Sequence, residues 1–386
     1  MRVLIASGGT GGHIFPAIAV AEEIKRRQPD AQFLFIGARK QALEKFCFYR
    51  DAGVVRLPAV GMPRKVSVDF ASFALRMLAS FDLSLRRVAS FRPHVVLGFG
   101  NFGSVGPLLA AKIRGVPMAI HEANAIPGKA NLLLSRLSNK VLVHFPRAAH
   151  HFPNGNVEVV GMPVRKEFKQ KRERLGALAQ IRLSGTKITL LVVGGSQGAR
   201  ALNIEVCNAI PILQKMSSRV QVIHLTGKSD YSWVRRYYEN SPVQAYVAPF
   251  DSRMKLLYDG ADLVLARAGA STVAEIIQTG KPAILVPFPY AASQHQDENA
   301  RFLQENGGAV VLKQRLTSSS GPSVPGLGEK LCELIEDRQR LREMADSNRR
   351  LANGSAAQRI ADLLFQIARP EVAVYRHVGR QAAVAA

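Results

Sequence analysis

Arg2-Val-Leu-Ile-Ala-Ser-Gly-Gly-Thr-Gly-Gly-His-Ile-Phe-Pro16 sets an apolar run, four glycines and a proline in the order in which a buried strand hands over to a helix. Glycine lets the backbone turn with positive φ and brings its N–H groups close to a ligand. A helix N-terminus adds partial positive charge, so Gly8 to His13 read as an anion cradle. Pro16 is expected at the first helical position. Spacing excludes two familiar phosphate loops. A dinucleotide fingerprint starting at Gly9 needs a third glycine where Ile14 stands, and no Gly-Lys-Ser/Thr closes the loop as in nucleoside triphosphatases.

The same design recurs at Leu190-Leu-Val-Val-Gly-Gly-Ser-Gln-Gly-Ala-Arg200. Between and beyond the two, strand-like runs alternate with helical patterns: 3–6, 33–36, 95–97, 118–120, 140–143, 188–193, 220–225, 263–265 and 283–286. That alternation predicts an α/β fold with parallel sheets flanked by helices. Gly161-Met-Pro-Val-Arg165 punctuates the chain as a hinge, which divides it into residues 1–162 and 163–346. Ligands of open parallel sheets sit beyond the carboxyl ends of the strands, so two such domains would bring their glycine loops to one cleft. Residues 317–328 read as a surface loop and 369–386 as a flexible tail.

The chain has 386 residues, 47% hydrophobic and 21% charged, enough for two globular domains. Its 52 Lys and Arg against 29 Asp and Glu give +23, which calls for an anionic partner: nucleic acid, a membrane surface or a phosphorylated substrate. The basic residues are scattered, without the aromatic strand motif, recognition helix or long basic run of a nucleic-acid binder. Cys47, Cys207 and Cys332 lie far apart without metal-type pairing, as in a reducing cytosol. There is no secretory leader and no apolar run long enough to span a bilayer, so the protein is expected to be neither exported nor membrane-spanning.

Five segments together resemble one family. Gly8 to Pro16, Gly98-Phe-Gly-Asn-Phe-Gly-Ser-Val-Gly-Pro107, His121-Glu-Ala-Asn124, Gly194 to Arg200 and Ala268-Gly-Ala-Ser-Thr-Val-Ala-Glu275 occur in the order found in the MurG family of N-acetylglucosaminyltransferases, over roughly residues 1–365. The resemblance implies a GT-B fold, two Rossmann-like domains with parallel sheets facing across a cleft. It implies UDP-GlcNAc as donor, held mainly by the C-terminal domain, and lipid I as acceptor, held by the N-terminal one. The product would be lipid II, formed with inversion, in peptidoglycan synthesis. A final helix, near residues 347–368, would cross back to the N-terminal domain. The family also implies a peripheral place on the cytoplasmic face of the inner membrane, with cell-wall synthesis and division proteins as partners.

Carried over residue by residue, the donor site would comprise Thr10, Gly11, Gly12, Asn124, Arg165, Ser196, Asp251, Ser271, Thr272, Glu275 and Gln296. Gly194, Gly195 and Ser196 at a helix N-terminus suit the diphosphate, and Arg165 offers its planar fork to phosphate oxygens. Glu275, four residues after Ser271, can accept two vicinal ribose hydroxyls. Asn124 and Gln296 correspond to amides that contact GlcNAc, and the backbone around Asp251 to the uracil pocket. The acceptor diphosphate would meet Gly12, His13, Gly100, Gly103 and Ser104. His13 can act as general base or can only orient the substrates; Glu122 is the alternative base, or a structural partner of its loop. No Asp-x-Asp is present, so no metal clamp and no cofactor are expected.

Within residues 70–91, Phe70, Phe73, Ala74, Met77, Leu78, Phe81, Leu85 and Val88 follow helical spacing, with Leu75 and Leu83 off that stripe and Arg64, Lys65, Arg76, Arg86, Arg87 and Arg92 nearby. Such a helix can lie on an anionic bilayer surface or pack in the core. Other readings keep the fold but change the chemistry: a diacylglycerol acceptor, epimerisation of UDP-GlcNAc, or a non-catalytic UDP-sugar sensor.

Overall fold

A computed structural model describes residues 1–7, 11–37, 52–58, 68–153, 156–170, 173–195, 197–291, 294–317, 321–352 and 354–369. Thr10, Ser196, Arg64, Lys65, Cys47 and the tail beyond residue 369 lie outside them.

The first sheet holds seven parallel strands: β1 (Arg2–Ser7), β2 (Gln32–Gly37), β3 (Gly53–Arg56), β4 (Val95–Gly98), β5 (Met118–Glu122), β6 (Lys140–Val143) and β7 (Val157–Val159), in the order β3-β2-β1-β4-β5-β6-β7. The second holds six: β8 (Ile188–Val193), β9 (Val220–Leu225), β10 (Gln244–Ala248), β11 (Leu263–Ala266), β12 (Ala283–Leu285) and β13 (Ala309–Val311), in the order β10-β9-β8-β11-β12-β13. Central strands such as β4, β8, β9 and β11 are buried along their length, because helices cover both faces of a parallel sheet. Strand order reverses beside β1 and again beside β8, so each glycine segment leaves its sheet at a switch point, where such folds open a crevice.

The helices are α1 (Gly11–Arg27), α2 (Val68–Phe91), α3 (Val105–Ile113), α4 (Lys129–Ser135), α5 (Arg174–Gln180), α6 (Arg200–Gln214), α7 (Tyr231–Glu239), α8 (Met254–Gly260), α9 (Ala270–Thr279), α10 (His295–Glu305), α11 (Leu327–Glu336), α12 (Arg338–Leu351) and α13 (Ala356–Ile367). Three expectations are corrected. Helix α1 begins at Gly11, which puts Pro16 inside the helix and not at its first position. Residues 317–328 are not all loop: β14 (Arg315–Thr317) pairs with β15 (Gly321–Ser323), and α11 starts at Leu327. The final helix is two. Helix α12 stops at Leu351 and packs on α9 in the second half; α13 alone returns to the first half and lies along α1.

Ala357, Ile360, Ala361, Leu363 and Leu364 of α13 share one core cluster with Ile14, Ile18 and Ile24 of α1 and Val3 and Ile5 of β1. An Arg27–Asp362 ion pair rims this contact. The core also runs across the hinge: Ala123, Ala125 and Phe145 of the first half belong to the cluster built on β8, β11 and α9, and Phe145 meets Phe302 edge-on at 5.1 Å. In α2, Ser80, Ser84 and Val88 form the buried stripe, and a Cβ at Gly106 would lie 3.2 Å from the Ser80 carbonyl, so α2 and α3 cross closely. Leu75 and Leu78, at 68% and 65% exposure, face solvent.

Candidate functional site

The N-termini of α1 and α9 meet across the cleft. The Ser271 hydroxyl donates to the Gly12 carbonyl at 3.3 Å, joining the glycine segment of the first half to the first turn of α9 in the second. Because β8 and β11 are neighbours in register, the segment after Val193 opens on the same sheet edge as α9. That segment needs its glycines. Gly198 has φ +78° and any Cβ would strike the Thr226 carbonyl, whereas Gly195, at φ +94°, has open space before it.

His13 stands in the first turns of α1, and its Nδ1 lies 2.6 Å from the Phe99 carbonyl. A carbonyl only accepts, so Nδ1 carries the proton and the Nε2 lone pair is left for another partner. Burial pushes the imidazole below its ordinary 6.5, against the Phe99 carbonyl and the Glu122 charge, so the ring is neutral at pH 7.

Glu122 ends β5 and is 3% exposed. Its Oε1 accepts from the Asn124 backbone N–H at 2.9 Å and from Asn124 Nδ2 at 3.3 Å; Oε2 accepts from the Gly128 N–H at 3.1 Å and from Asn131 Nδ2 at 2.8 Å. With both oxygens engaged, the carboxylate holds the loop between β5 and α4. The Asn124 oxygen in turn accepts from Asn299 Nδ2 at 3.2 Å across the cleft.

Gly100 and Gly103 are buried beside this loop. Ser104 is fully buried: its hydroxyl donates to the Gly100 carbonyl at 2.6 Å, its N–H goes to the Asn101 carbonyl at 3.1 Å, and the Gly103 N–H goes to Asn101 Oδ1 at 2.6 Å. These donors satisfy one another. Gly100, Gly103 and Ser104, expected at the acceptor diphosphate, thus form one hydrogen-bonded turn after β4.

On the other side, Ser271, Thr272 and Glu275 ride the first turns of α9, half-buried. Burial lifts the Glu275 carboxyl to about 7, against Arg165 and the Tyr258 hydroxyl, which pull it down. That hydroxyl is itself buried without a well-formed hydrogen bond. Arg165 stacks on Phe15 of α1 at 4.5 Å and on Phe168 at 5.2 Å, and pairs with Glu167 at 3.0 Å. Its Nε is buried with no acceptor among the described residues.

The Asp251 side chain is committed to its neighbours, accepting from Tyr246 OH at 2.8 Å and from Arg253 Nη2 at 2.7 Å. Burial alone would raise this carboxyl; the Arg253 and Tyr246 hydrogen bonds outweigh it and hold it below the ordinary value. Gln296 accepts from the Phe288 N–H through Oε1 at 2.9 Å. Sequence reasoning missed Asn299, Asn131, Tyr258 and Arg267. Arg267 is 8% exposed and fastens the segment after β12, donating to the Val286 and Pro287 carbonyls at 3.1 and 3.2 Å and to Gln314 at 2.7 Å. Buried polar residues of this kind carry no periodic signal.

Two parallel-sheet halves with facing glycine segments define a GT-B glycosyltransferase. Residues 3–143 match the glycosyltransferase family 28 N-terminal domain and residues 189–364 the glycosyltransferase family 28 C-terminal domain. A UDP-N-acetylglucosamine--N-acetylmuramyl-(pentapeptide) pyrophosphoryl-undecaprenol N-acetylglucosamine transferase from Geobacter sp. (strain M21) is 37% identical over 361 residues, covering 93% of this chain and 94% of the relative. The Desulfotalea psychrophila protein of the same name is 38% identical, covering 95% and 96%. The crystal structure of Acinetobacter baumannii MurG superposes with a TM-score of 0.72 at 29% identity, covering 95% of this chain and 99% of that one. The chain belongs to the MurG family of glycosyltransferases.

Proposed function

We propose that this chain transfers N-acetylglucosamine from UDP-GlcNAc to the MurNAc 4-hydroxyl of lipid I, giving lipid II and UDP with inversion. The names of the relatives support the donor sugar and the acceptor. The observation that carries the reading within this chain is the Gly12–Ser271 contact, which joins the glycine segment beside His13 and the α9 terminus beside Glu275 in one cleft.

In this reading residues 1–162, with α13, hold the acceptor, and residues 163–346 hold the donor. Glu275 accepts the ribose hydroxyls, the backbone near Asp251 lines the uracil, and Asn124 and Gln296 offer amide hydrogens to the sugar. The segment from Gly194, with Ser196, the α9 terminus with Thr272, and Arg165 oppose the charge growing on the leaving diphosphate. Thr10, Gly11 and Gly12 would also meet the donor, and Gly12, His13, Gly100, Gly103 and Ser104 the acceptor diphosphate. The 4-hydroxyl oxygen attacks the anomeric carbon on the face away from UDP and the bond to the diphosphate oxygen breaks. The hydroxyl proton passes to His13 Nε2, the atom left free by the Phe99 hydrogen bond.

The acceptor's lipid tail suggests a peripheral membrane protein at the cytoplasmic face of the inner membrane. No helix among the described residues is long and apolar enough to cross a membrane. Leu75 and Leu78 of α2, Ile113 of α3 and Leu133 of α4 are exposed on packed neighbouring helices, beside exposed Arg76, Arg86, Lys112, Arg114 and Lys129. Exposed apolar side chains on helices that also carry exposed cations suit an anionic lipid surface.

The test is direct: incubate the purified protein with UDP-GlcNAc and a short-chain lipid I analogue and follow UDP release and disaccharide formation. A folded protein that forms no disaccharide, or that turns over another lipid acceptor instead, overturns the reading.

A further inference from the structure

Asn299 lies in α10 of the second half, is fully buried, and bonds to both halves. Its Oδ1 accepts from the Ala125 N–H at 2.9 Å; its Nδ2 donates to the Ala268 carbonyl at 3.1 Å and to Asn124 Oδ1 at 3.2 Å. Ala125 belongs to the loop after β5, and Ala268 stands just ahead of α9. Two backbone groups fix the amide's orientation, because an N–H can only donate and a carbonyl only accept. A flipped amide would set like against like at both.

The orientation propagates. With Asn299 presenting a hydrogen, Asn124 must present its oxygen, so Asn124 Nδ2 turns to the Glu122 carboxylate and keeps one further hydrogen unspent. Glu122 continues the chain to Asn131, whose side chain packs on Gly100. One polar path thus runs from Asn131 in the first half, through Glu122, Asn124 and Asn299, to the Ala268 carbonyl ahead of α9 in the second. Buried paths of this kind hold a single register because each break leaves a desolvated group unpaired.

We propose that Asn299 is a positioning residue for the transfer reaction: it sets the register between the two halves of the cleft and orients Asn124 as a hydrogen-bond donor to the sugar. The proposal rests on the glycosyl-transfer reading above. Asn299 touches neither substrate, and its effect passes through Asn124 and the segment before α9.

The experiment compares Asn299→Asp, Asn299→Ala and Asn299→Ser in the full chain. Asp keeps the shape but sets an oxygen against the Ala268 carbonyl and Asn124 Oδ1. Its kcat should fall about 100-fold, the cost of a misplacement near one ångström, while the affinity for UDP alone stays within about twofold. Ser, which can give one hydrogen and take one, should fall between Asp and wild type and serves if Asp does not fold. Small-angle scattering reads the coupling without turnover: the Asp variant should be more extended and should contract less on adding UDP-GlcNAc. A lower melting temperature with unchanged kcat and scattering overturns the proposal. If the wild type transfers nothing yet the scattering difference holds, the transfer reading falls and the coupling of the halves stands.

Discussion

Pro16 stands four residues after Gly12 and has no N–H to offer it, so the Gly12 carbonyl is left out of the α1 hydrogen-bond ladder and takes the Ser271 hydroxyl from the other half of the molecule. A residue that weakens a helix by itself thus supplies an acceptor at the cleft. Pro16→Ala should return the Gly12 carbonyl to the helix. The expected outcome is a gain in stability of about 1–3 kcal/mol with a several-fold loss of turnover, read by thermal unfolding and by UDP release. A less stable variant would show that the proline is there for packing alone.

His13 starts neutral at pH 7, its ordinary 6.5 lowered by burial. A base must be unprotonated to act, so kcat/KM should hold steady through neutral pH and decline only as acid protonates the ring below 6.5. His13→Ala should lower kcat by about 100-fold or more and remove that acid limb. Retention of near-normal turnover at every pH would exclude the ring as base.

Glu275 carries the opposite sign. Its carboxyl is raised from 4.5 to about 7, so the folded state binds its proton more tightly than the unfolded state. Its charge costs nothing below 4.5 and increasingly destabilises the fold as pH rises from 4.5 to about 7. Glu275→Gln should therefore stabilise the protein above pH 7 by about 2 kcal/mol while weakening UDP-GlcNAc binding. Because ribose hydroxyls are accepted best by the ionised form, wild-type affinity should strengthen between pH 6 and 8, and the Gln variant should not follow it. Calorimetric titration across that range distinguishes the two.

Leu75 and Leu78 are largely exposed, so Leu75→Glu with Leu78→Glu should leave the melting temperature within about 2 °C. Flotation with anionic vesicles should show membrane binding reduced about tenfold or more, with UDP affinity unchanged. Loss of UDP affinity in the same variant would place these leucines in the fold's support.

The parallel-sheet plan was legible because the central strands are continuous apolar runs ending in glycine. The outer strands were not. β3, β7 and β13 are short and half-buried, with one flank open, so their sequences lack the run that burial on both faces imposes. The start of α1 was misplaced because proline is commonest at a first helical position, a preference overridden here by the use made of the Gly12 carbonyl. Of the site, the residues on glycine segments and at the α9 terminus could be named from motif order. Asn299 could not: one carboxamide in a polar stretch gives no pattern, and its importance comes from the two distant backbone groups that it bridges.

The return of α13 to α1 has a consequence for biosynthesis. The apolar face formed by Ile14, Ile18 and Ile24 is finished only by Ile360 and Leu364, which leave the ribosome after every strand of both sheets. The half made first must wait, one flank uncovered, until α13 has been made, whereas its later-made neighbour can close around residues already present. A chain stopped short of residue 356 would keep its second half and lose its first.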